Sequence, residues 1–203
     1  MLRLTGTDRA VAEIAAVAEH IASLTAAASA LGLAPDVPPG AGAGAPLVAL
    51  LDEQSAPDAA AVLAEIRQWS APALGVDHAP AFWRALAHHP RLLEATWRKD
   101  RLILSAGALD EFTTLCAALA VAQFRQSPYW VPYLTQMLRH RGVNDRELVE
   151  IAGAVMHYVS FNTIAHGMRL ESPVSGITAA DVVPGGHLEH IVPGIKKRVA
   201  AGT

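Results

Sequence analysis

Residues 125–134, RQSPYWVPYL, place one serine, two prolines, two tyrosines and a tryptophan in ten positions of a chain with only 5% aromatic residues. A serine followed by proline is a favoured N-cap and first-turn pair, so Ser127 is predicted to cap a helix rather than to attack a substrate. Tyr129, Trp130 and Tyr133 have large apolar faces with polar tips. Such side chains either line a pocket or fill a core, and both interpretations remain open from the sequence.

A second group of polar residues, HYVSFN at 157–162, interrupts the last apolar stretch. His157 shares a helical face with Phe161, and Ser160 lies at its edge. This face is where general acid–base chemistry is expected, with His157 as the base. His166 lies nine positions further on, which places it on the opposite face, so the two histidines cannot form one site. The alternative for either histidine is a side chain that is merely hydrogen-bonded.

Other reactive side chains are sparse. Cys116 is the single cysteine, so no intrachain disulfide is possible, and its apolar surroundings predict an inert thiol. His187 and His190 have no third ligand nearby in the sequence, and we predict no metal site. No glycine-rich phosphate loop follows a strand pattern, so no cofactor is predicted.

The composition indicates an all-α protein. Of the 203 residues 52% are hydrophobic, and many are alanine, which favours helices. The net charge is -3 without any Lys/Arg-rich run, which argues against nucleic-acid binding, and WRKDR at 97–101 is predicted to be a solvated helix face. No uninterrupted apolar run reaches the ~20 residues that cross a bilayer, so a cytoplasmic protein without membrane contact is expected.

The chain is predicted to have three parts: an N-terminal helix and linker (1–40), a helical domain (41–171) and an irregular C-terminal arm (172–203). The linker is the Pro/Gly/Ala-rich stretch at 34–46, which cannot continue a helix. Apolar periodicity and capping residues predict the helices, which lie at about 7–33, 57–69, 79–89, 90–104, 110–126, 129–141 and 145–170.

Several segments stand in an order that resembles the alkylhydroperoxidase D-like and carboxymuconolactone decarboxylase superfamily. They are FWRALAHHPRLLEATW (82–97), GALD (107–110), a turn with a tyrosine, and RHRGVNDRELVEIAGAV (139–155). The resemblance covers about residues 55–170 and implies an all-α bundle that forms homo-oligomers. The Pro90 to Trp97 stretch alone also has a faint similarity to helical haloacid dehalogenases.

The peroxidase members of this superfamily imply a glutamate before the turn, a Cys-x-x-Cys at the turn and a histidine one helical turn later. When the turns are matched by their shared tyrosine, Ser127 falls on the first cysteine and Trp130 on the second. Leu134 then falls on the histidine and Leu115 on the glutamate. The resemblance therefore implies that every reactive group of the thiol peroxidases is replaced.

Two hypotheses follow from these residues. The first is a member without peroxidatic cysteines that is either inactive or acts on a small organic substrate by acid–base chemistry. The second is a non-enzymatic oligomeric scaffold or small-ligand-binding protein. An open pocket at Trp130 and His157 would favour the first hypothesis, whereas aromatic rings filling that volume would favour the second.

Overall fold

The computed structural model describes residues 6–40, 42 and 44–170, and within them the chain forms helices but no β-strand, as predicted. The predicted C-terminal arm, with His187 and His190, lies outside the described residues. A short 3₁₀ turn (Pro57–Ala59) precedes the second helix. The α-helices are α1 (Gly6–Ala30), α2 (Ala60–Leu74), α3 (Ala81–Leu86), α4 (Pro90–Leu104), α5 (Glu111–Phe124), α6 (Trp130–Arg139) and α7 (Asp145–Gly167).

Helix α1 is part of the main hydrophobic core. It packs against α4 and α5, and its apolar stripe is buried from Val17 onward through Ile21 and Leu24. The stripe predicted by periodicity also includes Val11 and Ile14, but both are exposed. At this end the contact is polar, because Glu13 accepts hydrogen bonds from the backbone N–H groups of residues 108 and 109.

Capping residues lie at the starts of α5 and α7 and after the end of α6, as the sequence predicts. The Asp110 carboxylate accepts the Thr113 N–H at 2.9 Å at the start of α5. Asn144 and Glu147 form a reciprocal capping box before α7, with distances of 2.9 and 3.1 Å. Gly142 has the positive φ of a helix C-cap.

Helix α2 differs from its prediction, because it starts at Ala60 and continues past Pro72 to Leu74. A proline removes one backbone donor, but in the last turn this loss does not stop the helix. Gly75 ends α2 with a φ of +73°, and a Cβ there would lie 2.2 Å from Nε2 of His140. Position 75 at the end of α2 therefore needs glycine, because the backbone has a positive φ and His140 leaves no room for a Cβ atom.

Helix α7 has no buried residue, although Leu148 and Ile151 pack partly against the core. The described residues divide into two compact units, one that ends at Val159 and one that begins at Ser160. Among the described helices, α7 and the Asp8–Ala30 part of α1 are long and apolar enough to cross a membrane by length and composition alone. One or two helices that meet this criterion are weak evidence for a membrane span, because core helices of soluble proteins meet it too. For α1 this indication is weak, because its buried face belongs to the core.

Candidate functional site

The turn before α6 is organised by Ser127, which is buried. Its hydroxyl accepts a hydrogen bond from the Trp130 N–H at 3.2 Å, and its carbonyl accepts one from the Val131 N–H at 3.3 Å. The predicted capping role is therefore present in the structure. Pro132 lies in the first turn of α6, where a missing N–H leaves no intrahelical bond unmade.

Five rings from α3 and the start of α6 form one fully buried group, which we call the aromatic cluster: Phe82, Trp83, Tyr129, Trp130 and Tyr133. The Trp130 and Tyr133 ring centroids are 4.8 Å apart, and those of Trp130 and Phe82 are 5.0 Å apart, both in edge-to-face geometry. Leu115 and Leu134 are also completely buried. The turn thus holds tightly packed rings and aliphatic side chains.

The polar tips of this cluster differ in their environment. The Tyr129 hydroxyl donates to Asp36 at 3.2 Å and accepts the Phe82 N–H at 2.9 Å. Burial, helped by the Asp36 charge, raises the pKa of Tyr129 well above its usual value.

Three other polar atoms of the cluster have no hydrogen-bond partner within the described part of the chain: the Tyr133 hydroxyl and the indole N–H groups of Trp83 and Trp130. Burial raises the pKa of Tyr133. The Trp83 N–H lowers that pKa in part, although the two groups do not reach hydrogen-bond geometry. These unpaired buried groups lower the stability of the turn, because each has lost its hydrogen bonds to water without a replacement.

The single cysteine lies on α5 and is partly buried. Burial raises the pKa of the Cys116 thiol, and the negative charges of Asp110 and Glu147 raise it further. A reactive cysteine needs the opposite environment, one that favours the thiolate. The environment of Cys116 is therefore the one expected of an unreactive thiol.

The structure does not bring His157 together with the aromatic cluster. His157 is exposed on α7, as are Ser160 and Phe161, whereas every ring of the cluster is buried. Periodicity placed His157 on a helical face, but it could not show whether the same chain covers that face. Trp130 is only 1% exposed, so its ring presents almost no surface to a pocket shared with His157.

Asp36 and His78 form a polar site that the sequence analysis missed. The Asp36 carboxylate accepts the Ala81 N–H at 2.8 Å and the Tyr129 hydroxyl, and it lies 3.4 Å from Nε2 of His78. No short-range pattern predicts these contacts, because Asp36 lies in the Pro/Gly-rich linker, 45 residues before Ala81 and 93 before Tyr129. Among the described residues, no group of three or more potential metal ligands occurs.

Comparisons with known proteins agree with this architecture. The model of the carboxymuconolactone decarboxylase family matches residues 90–170, which span α4 to α7 and include the turn. The chain is similar to the alkylhydroperoxidase AhpD core from Rhodospirillum rubrum, whose crystal structure it matches with 26% identity and a TM-score of 0.57. The match covers 69% of this chain and 99% of the other. No curated protein matches the chain significantly.

The described helices therefore have the AhpD-like fold. These matches support the predicted resemblance to the alkylhydroperoxidase D-like and carboxymuconolactone decarboxylase superfamily. With Cys116 as its single cysteine, the chain contains no Cys-x-x-Cys sequence.

Proposed function

We propose that this protein is a superfamily member without thiol-peroxidase chemistry, in which the turn before α6 is a packing element of a homo-oligomeric scaffold. The observation that carries the proposal is the complete burial of Tyr129, Trp130 and Tyr133 around the capping Ser127. An acid–base site at this turn would need an accessible pocket. The packed rings favour the scaffold over that alternative.

The side chains at the turn support the absence of peroxidase chemistry. Thiol peroxidases need a thiolate and a neighbouring group that relays its proton. In the proposed correspondence, the two sulfur positions hold the hydroxyl of Ser127, already used as a cap, and the indole of Trp130. Leu115 and Leu134 replace the two relay groups and cannot move a proton.

Purified protein is expected to reduce hydrogen peroxide and cumene hydroperoxide in the presence of dithiothreitol no faster than the uncatalysed reaction. The reason is that the remaining thiol, Cys116, has a raised pKa and no proton relay. Consumption of peroxide is measured by a colorimetric assay, with an active thiol peroxidase as the positive control. Turnover that Cys116→Ser abolishes would contradict the proposal.

Helix α7 is the proposed oligomer contact. AhpD-like proteins are commonly oligomeric, and α7 exposes large apolar side chains, among them Val149, Met156 and Tyr158. An exposed helix with several large apolar side chains is stabilised by a covering surface. A second copy suits α7 better than a bilayer, because His157 and Asn162 near its middle would be costly in hydrocarbon. We further propose that His157 belongs to this contact between copies.

Replacing Val149 and Met156, seven residues apart on one face of α7, by glutamate is expected to weaken self-association at least tenfold, or about 1.4 kcal/mol. The reason is that the new glutamates would bring like charges of the two copies together in the buried contact. The control is Leu102→Glu on α4, which adds one glutamate at a side chain that is 77% exposed. Sedimentation velocity over a range of concentrations measures the change, and circular dichroism checks folding.

Two results would overturn the oligomer proposal. One is a wild-type protein that is monomeric at every concentration tested. The other is a loss of association with Leu102→Glu that equals the loss with the α7 variant. A monomer that co-sediments with phosphatidylcholine/phosphatidylglycerol vesicles would assign α7 to a membrane surface instead.

A further inference from the structure

An open cavity of about 390 Å³ lies next to the Asp36–His78 pair. Its size suits a molecule of one ring with a few substituents. The wall combines charged and polar side chains with the apolar Leu63 and Ala79. The charged and polar lining residues are Asp52, Glu53, Gln54, Arg67, His78 and Arg84.

Both carboxylates of the cavity wall already have partners. Glu53 accepts a hydrogen bond from Nε of Arg67 at 2.8 Å, so these two opposite charges compensate each other. Asp52 accepts hydrogen bonds from the backbone N–H groups of Gln54 and Ser55 and from the Ser55 hydroxyl. These bonds lower the pKa of Asp52 and direct its carboxylate into its own turn.

Arg84 is held in place without a carboxylate contact among the described residues. Its Nε donates to the Leu51 carbonyl at 3.3 Å and its Nη2 to the Leu50 carbonyl at 3.2 Å. These neutral acceptors orient the planar guanidinium, and although its charge lowers the pKa of the nearby Asp52, no carboxylate in the described part of the chain forms an ion pair with it. An arginine fixed in this way is suited to bind a carboxylate.

His78 lies beside Asp36. Its Nε2 lies 3.4 Å from the Asp36 carboxylate, which is itself held by the Ala81 N–H and the Tyr129 hydroxyl. A carboxylate at one ring nitrogen favours the tautomer with the proton on that nitrogen. The other nitrogen, Nδ1, is then the hydrogen-bond acceptor of the ring.

We propose that this cavity binds a small organic acid, with the acid's carboxylate on Arg84, a hydroxyl or other donor at His78, and its apolar body against Leu63 and Ala79. Asp36 acts as a positioning residue for His78. This binding site does not depend on the oligomeric scaffold, because all its residues come from one chain.

The test uses three probes of similar size and different charge: benzoate, benzyl alcohol and benzylamine. Each is titrated into ¹⁵N-labelled protein while the backbone amide signals are followed by NMR. Benzoate is expected to shift the Ala79 and Arg84 amides in a saturable way, and benzylamine is expected to leave them unchanged. Arg84→Gln should weaken benzoate binding at least tenfold, about 1.4 kcal/mol, whereas Arg91→Gln at an exposed position on α4 should not.

His78→Gln provides a second variant if Arg84→Gln fails to fold, and it should also weaken binding of a hydroxylated probe, salicylate, more than that of benzoate. Asp36→Asn tests positioning, because it should change the tautomer of His78 reported by the ring ¹⁵N shifts. Equal or stronger binding of benzylamine, or no saturable shift with benzoate, would overturn the proposal. An equal loss of affinity with Arg91→Gln would overturn it as well.

Discussion

Asp100→Ala is expected to lower the free energy of unfolding by about 3 to 5 kcal/mol, because it removes one member of a buried polar pair. Nε2 of His20 lies 2.9 Å from Oδ1 of Asp100, and the side chains are only 1% and 2% exposed. The pair joins α1 to α4 across 80 residues. Without Asp100, the imidazole would remain buried beside a cavity with its hydrogen bond lost.

Urea unfolding followed by circular dichroism measures this change. The matched control is Lys99→Ala, which breaks the neighbouring contact between Lys99 and Glu19 on the same two helices. That ion pair is exposed, so its loss should have a far smaller effect. The double variant with leucine at positions 20 and 100 should recover part of the lost stability, since no polar group is then left unpaired. An Asp100→Ala effect no larger than that of Lys99→Ala would show that the pair does not hold α1 to the core.

The same pair shows where the sequence prediction was wrong. WRKDR suggested a solvated helix face, and four of its five side chains are charged. In the structure Asp100 faces the core, because it lies three residues after Trp97, on the side of α4 that helical spacing predicts to be buried. Asp100 is tolerated there through His20, a partner from a distant helix that periodicity alone cannot reveal.

Short-range features were predictable because their partners lie within a few residues. The caps at Asp110 and Asn144 involve residues three positions away, and Gly142 needs only its own backbone conformation. The burial of Leu93, Trp97 and Leu104 also followed from helical spacing. Local patterns were therefore sufficient to predict the seven α-helices of the described residues in their order.

The candidate site was predictable only in part. The sequence identified the turn, and Ser127 caps as expected. It left open whether Tyr129 and Trp130 line a pocket or fill a core, since both uses favour the same amphipathic rings. In the structure these rings fill a core, because Phe82 and Trp83 of α3 pack against the turn from more than 40 residues away in the sequence. The role of Asp36 depends on a tertiary contact that the linker composition concealed.

The two tyrosines of the aromatic cluster provide a matched test of how this turn is stabilised. Tyr129→Phe is expected to lower the free energy of unfolding by about 1 to 3 kcal/mol. The variant loses the bond to Asp36 and leaves the buried Phe82 N–H without its acceptor. Thermal and urea unfolding measure the change, and the aromatic NMR signals show whether the rings stay packed.

Tyr133→Phe is the control, because it removes a hydroxyl of the same size from a ring that is equally buried. The Tyr133 hydroxyl has no hydrogen-bond partner among the described residues, so its loss should leave stability unchanged or raise it by about 1 kcal/mol. The contrast separates the contribution of the hydrogen bonds from that of ring packing. Equal losses for the two variants would mean that Tyr133 is bonded in solution. An unchanged stability of Tyr129→Phe would mean that the bond between Asp36 and Tyr129 does not stabilise the turn.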